Sequence, residues 1–186
     1  MIRATLLEVP TPVGHALGGL AAYLAAPPGK RAHKDWTLLC ATLFAALLPD
    51  LDLAIGPFAG RSYHHYFTHS LGFTVLFADI VYWAMRGMGR ASPGRDALVM
   101  GSAYFSHILL DMLTKDTTVP FGVQLFWPFA DAFVISPVSV FSDVWRGSLT
   151  VTFGLHNWLA MGREILVLMP AVGLLWWLRR RCGQVE

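Results

Sequence analysis

Ala97-Leu-Val-Met-Gly-Ser-Ala-Tyr-Phe-Ser-His107-Ile-Leu-Leu-Asp111-Met-Leu-Thr114 is an apolar run broken by one histidine and one aspartate. Four residues apart, the two share one face of a helix. In hydrocarbon-like surroundings such a pair is costly unless both groups bind something. Two further polar clusters sit at the borders of apolar segments: Pro49-Asp50-Leu51-Asp52, and His64-His65-Tyr66-Phe67-Thr68-His69-Ser70. Together they read as one metal site assembled from several helices.

The rest of the chain sets that run in a membrane. Of its 186 residues, 55% are hydrophobic and only 14% charged, against roughly 25% charged in soluble domains. Mean hydropathy is +0.51. Apolar segments near 12–27, 36–49, 69–85, 97–114 and 164–178 predict about five spanning helices, several shorter than the usual ~17–25 residues. The expected fold is all-α, a polytopic membrane helical bundle in a single domain over residues 1–186. A soluble bundle of unusually apolar helices is the alternative. A formal net charge of +2 gives no reason to expect a nucleic-acid partner. Cys40 lies in an apolar segment and Cys182 in a basic tail, so no disulfide is expected, and the first residues do not read as a signal peptide.

Charge placement orients the segments. Lys30, Arg31 and Lys34, then Arg86, Arg90 and Arg95, then Arg179, Arg180 and Arg181 fall on one side if all five segments span. That side is then cytoplasmic. Arg3, Arg61, Lys115, Arg146 and Arg163 are spread over the other. His15, Asp50, Asp52, His64, His69, His107 and Asp111 all then fall at the outer face, although none of them entered the orientation argument.

Local signals refine the picture. Pro49 should end the second helix beside its aspartates, and Pro27-Pro28-Gly29 should end the first. Gly14, Gly18 and Gly19 allow a neighbouring backbone to approach the first helix. Thr68 and Ser70 read as helix caps, Thr114 as a cap or a donor to a ligand, and His33 as a surface residue. Residues 115–163, dense in Trp, Phe and Pro, predict interfacial or re-entrant structure, with an interfacial helix over 149–162.

Imidazoles and carboxylates without thiolates suit zinc, manganese or iron. The candidate ligands are His15, Asp50, Asp52, His64 (or His65), His69, His107 and Asp111. Seven exceed the three that one zinc with an open position requires, so two ions bridged by a carboxylate are expected, an arrangement suited to hydrolysis. Asp50 and Asp52 cannot share a helical face. Either both turn inward in the bend after Pro49, or one orients a histidine instead of binding metal. Each cluster also has a plainer reading, as caps, loop residues or an intrahelical pair, but that reading leaves their gathering on one face unexplained.

These stretches resemble the family of predicted membrane-bound metal-dependent hydrolases, which includes the LexA-regulated inner-membrane protein type. Gly14-His15, Pro49-Asp50-Leu51-Asp52, His64 through Ser70, Ser106-His107 through Asp111 and Thr114, and Trp127-Pro128 match its pattern in order. His65 departs from it, standing where the family has arginine. The resemblance implies metal ligation by the matched histidines and aspartates in a bacterial or archaeal inner membrane. The expected activity is hydrolysis of a lipid or lipid-linked ester, first a phosphoester, by water activated at a divalent metal, with zinc suited to the nitrogen and oxygen donors and Asp50 or Asp52 as general base. Two other readings stay open: a non-catalytic protein with a structural or sensing metal, and a metal-independent lipid phosphatase. The second lacks the Lys/Arg phosphate cradle its chemistry needs.

Overall fold

A computed structural model describes residues 10–27, 35–54, 58, 64–116, 119–145 and 148–182. Lys30, Arg31, His33, Lys34, Arg3, Arg61 and Arg146 lie outside the described residues, as do Pro28 and Gly29. The helices are α1 (Pro12–Ala25), α2 (Trp36–Leu47), α3 (Leu71–Gly87), α4 (Pro93–Met112), α5 (Leu149–Thr152) and α6 (Leu155–Cys182). Short 3-10 helices cover Pro49–Ala54 and Phe67–His69. Among the described residues there is no strand, only isolated bridges joining Thr114 to Phe141 and Val123 to Val134.

The helix starts are chemically marked. Thr11 caps α1, its hydroxyl accepting from the Gly14 amide at 3.3 Å, with Pro12 in the first turn. Asp35 caps α2 through the Leu38 amide, and Ser70 caps α3 through the Phe73 amide. Each cap satisfies a donor that the first turn leaves without a helical partner. Pro93 opens α4, where its missing N–H costs nothing.

Helix α4 lies at the centre, packed on α1, α2 and α3, while α1 also packs on α2 and α6. Three glycines make α1 a hub. A Cβ on Gly19 would lie 2.6 Å from the Ala46 Cβ of α2. On Gly18 it would meet the Ser106 hydroxyl of α4 at 2.9 Å, and on Gly14 the Glu164 carboxylate of α6 at 2.6 Å. Helices α1, α3 and α6 run one way and α2 and α4 the other, as the contacts at both ends show. At one end Arg90 joins Asp35 and Asp96, Arg95 donates to the Pro27 carbonyl, and Arg179 lies over the Tyr23 ring. At the other end His107 donates to the Ala46 carbonyl and His15 faces Asp111. Arg90, Arg95 and Arg179 thus lie at the opposite end of the bundle from His15, His69 and His107.

Polarity is inverted relative to a water-soluble domain. His15, His69 and His107 are fully buried. Val75, Ile80, Trp83, Leu98, Leu159 and Leu166 are exposed on the outer faces. One stretch, Leu149–Arg181, is long and apolar enough to cross a membrane, with a mean hydropathy of 1.6 over its most apolar window. Only 17% of that window is buried, which separates it from the core helix of a soluble protein. Helix α2 is apolar but shorter, so length and composition alone do not establish five spans.

One sequence expectation changes. Residues 149–162 do not form one interfacial helix: α5 ends at Thr152, and α6 starts at Leu155 and runs through Glu164. The acid that looked like the edge of the last segment is buried and bonded to Thr11, so the helix passes it without interruption. The second helix does end before Pro49, as the proline's position beside the aspartates predicts. Leu48 keeps helical dihedrals and Pro49 opens the 3-10 helix.

Candidate metal centre

Helix α4 supplies His107 and Asp111 one turn apart, both buried, with their side chains 3.2 Å apart. The opening of α1 supplies His15, whose ring stacks on His107 with centroids 3.6 Å apart. His15 Nε2 lies 3.5 Å from Asp111 Oδ1. The Phe67–His69 turn supplies His69, whose Nε2 is 3.4 Å from Asp111 Oδ2 and 3.3 Å from His107 Nε2. Asp50 closes the set, its Oδ1 3.5 Å from His107 Nε2.

The 3-10 turn explains the division between the two aspartates. At three residues per turn, positions two apart point about 240° apart around the axis. Asp50 therefore faces His107. Asp52 faces the loop before α3, where it accepts from His64 Nδ1 at 2.8 Å, lies 3.2 Å from His69 Nδ1, and accepts from the Thr68 hydroxyl at 2.7 Å. Burial pushes the Asp52 carboxyl up, but the hydrogen bonds with His64 and His69 outweigh it and hold the group below the usual carboxylate range. It is an ionised acceptor that fixes imidazoles, as carboxylates behind metal-bound histidines do. Thr68, expected as a cap, serves this carboxylate instead; Ser70 is the cap.

Those partners also set the tautomers. A carbonyl or carboxylate cannot donate, so His107 must carry its proton on Nδ1 toward Ala46, and His69 on Nδ1 toward Asp52. If both rings are neutral, their Nε2 lone pairs face each other at 3.3 Å, which is repulsive unless a cation or a second proton on one ring lies between. Both His15 ring nitrogens, Asp50 Oδ1 and both Asp111 oxygens are buried without a hydrogen-bond partner. The candidate donor atoms stand 3.2–3.5 Å apart, long for charge-assisted hydrogen bonds of about 2.7–2.9 Å. Tetrahedral ligands at about 2.0–2.1 Å from zinc are separated by about 3.3–3.4 Å. These buried His and Asp groups could hold a metal ion.

His65 was not singled out as a ligand beyond standing as an alternate to His64, and the structure draws it in. It is buried at a positive φ of 69°, a region histidine enters more readily than most residues. Its carbonyl accepts from the Gln124 amide, and its ring lies 4.1 Å from that of His64 and 5.2 Å from that of His69. His64, His65 and His69 bring ligand atoms within 4.8 Å of one another, a second trio beside the first. Adjacency to His64 was the only signal for it. Tyr104, one turn before His107, holds this loop by donating to the Thr68 carbonyl at 2.7 Å. Thr114 bonds back to the Leu110 carbonyl. His156 stands apart, bonded to the Asp143 carbonyl and stacked on Trp145.

Asp52→Asn tests the orienting role. It should weaken metal binding by about 10–100-fold while leaving the protein folded, as read by competition with a calibrated chelator. Unchanged affinity would remove Asp52 from the site.

The sequence matches the family model described as YdjM inner membrane protein over residues 11–182. No curated protein and no solved structure matches the chain. Since the match takes in every described helix and all the histidines and aspartates of the site, the chain belongs to the YdjM inner membrane protein family.

Proposed function

We propose that this protein is a polytopic inner-membrane hydrolase that uses one or two divalent cations, zinc first, on a lipid or lipid-linked ester. The arrangement of His69 and His107 carries the reading: two imidazole Nε2 atoms held face to face at 3.3 Å beside the orphaned oxygens of Asp111. His15, His69, His107 and Asp111 would hold one cation, with Asp50 beside it and not bound to it. His64 and His65 would contribute to a second. The inverted polarity of the bundle supports several spans. The separation of arginines from histidines supports a site at the outer face.

A cation at this position supplies charge stabilisation for ester oxygens and lowers the pKa of water. The protein's own groups do the rest. Asp52 is engaged by His64, His69 and Thr68, which leaves Asp50 as the general base; its side chain is 15% exposed where those of His107 and Asp111 are 0%. A water oxygen bonds to the phosphorus or acyl carbon as Asp50 accepts its proton. The bond to the leaving alkoxide then breaks, and the proton passes to that oxygen, so one water is consumed per ester cleaved. Partial exposure at Asp50 also argues against a closed structural site, which would surround its ion with protein.

The test is turnover of a phosphodiester, phosphomonoester and carboxyl-ester lipid panel by detergent-purified protein, before and after chelation and with zinc or manganese restored. Asp50→Asn should reduce kcat by about 10²–10⁴-fold. Bound metal with no turnover on any ester, and a chelator that lowers only the melting temperature, would make the cation structural.

A further inference from the structure

Beside the cluster, the start of α1, the Pro49–Ala54 turn, α5 and the first turns of α6 line an open-sided cavity of about 660 Å³. That lies within the ~300–1,000 Å³ usual for small-molecule sites. Its walls include Pro12, Val13, Leu53, Val144 and Met161, and Asp50 is the one ionisable group among its described lining residues.

The other polar lining groups are occupied. The amide and hydroxyl of Thr11 both donate to Glu164. The Asn157 side chain is bonded to the backbone of Trp145 and Thr152. Asp50 Oδ1, in contrast, is buried without a hydrogen-bond partner and points to His107. A ligand that fits must be apolar along most of its length and polar at one end. The approach is apolar as well: Phe153, Leu155, Trp158 and Leu159 are 55–73% exposed on this side. A face of that kind suits entry from hydrocarbon and not from water.

We propose that this cavity holds one hydrocarbon chain of a membrane lipid, with the ester next to Asp50 and the imidazole cluster. The occupancy itself stands on the cavity; only the placement of the ester rests on the hydrolase reading.

A lysophosphatidylcholine with a diazirine at its chain end is the probe. The full-length protein in nanodiscs is irradiated with it and the adducts are mapped by peptide mass spectrometry. Adducts are expected on Val13, Leu53 and Met161. Val13→Trp and Met161→Trp, which fill the cavity, should each lower them at least tenfold. Leu166→Trp, on the exposed face of α6 away from the cavity and its approach, should leave them unchanged. Metal content measured in parallel shows that each variant is folded, and having two filling variants covers the failure of either. Adducts confined to exposed α6 residues, or insensitive to both substitutions, would overturn the chain site. Cavity labelling in a protein that cleaves no ester would leave the chain site standing and sink the hydrolase reading alone.

Discussion

Asp111→Asn should empty the centre: bound metal falls to a small fraction of the wild-type stoichiometry, and affinity drops by more than about 100-fold, beyond the range seen for orienting residues. Asp111 is the group on which the imidazoles converge. Its Oδ1 lies 3.5 Å from His15, and its Oδ2 lies 3.4 Å from His69 and 3.2 Å from His107. Asparagine keeps the shape, removes the charge and turns one of those contacts into an N–H that no cation tolerates. The alternative occupant of the site is a proton shared between His107 and its carboxylates. That arrangement would lose a proton in Asp111→Asn but would show no metal in the wild type. Elemental analysis of both proteins, purified without chelator, therefore separates the two. Equal metal in wild type and Asp111→Asn would remove this aspartate as a ligand.

The centre was legible where the pattern is local. His107 and Asp111 lie one turn apart within a helix, so their shared face follows from helical geometry. Pro49 placed Asp50 and Asp52 in a bend. Which carboxylate faces the metal and which faces the histidines depended on the 3-10 pitch, and composition does not report pitch. His65 and Thr68 act through a loop whose shape is set from afar, by the Gln124 amide bonded to the His65 carbonyl and by Tyr104 bonded to the Thr68 carbonyl. Partners separated by 36 residues or more leave no periodic trace. The all-helical class was legible from the apolar segments. The number of spans was not settled by them, because α1 and α2 are short and, among the described residues, only the last helix is apolar over a full crossing length. Glu164 escaped notice for a related reason: a single acid at the end of an apolar run reads as a boundary unless its partner, Thr11 at the other end of the chain, is known.

That acid gives the second large effect. Glu164→Ala should lower stability by about 3 kcal/mol. Glu164 is 1% exposed, takes the Thr11 amide at 2.7 Å and the Thr11 hydroxyl, and lies against the glycine that opens α1. Hydrogen bonds to charged groups contribute about 1.5–3 kcal/mol each, and a buried donor left without a partner costs about 1–3 kcal/mol. The alanine variant loses both bonds and leaves a void where α6 meets α1. Glu164→Gln keeps an acceptor for the Thr11 amide and fills the same volume, so it should recover at least half of the loss. The two variants compared by thermal melting in detergent read this directly. Helix α1 carries His15 four residues after Thr11, the residue bonded to Glu164, so loosening the α6 clasp should also speed metal loss to a chelator. If Glu164→Ala melts with the wild type, α6 is held by its apolar face alone, and the buried acid has no part in fixing the first ligand.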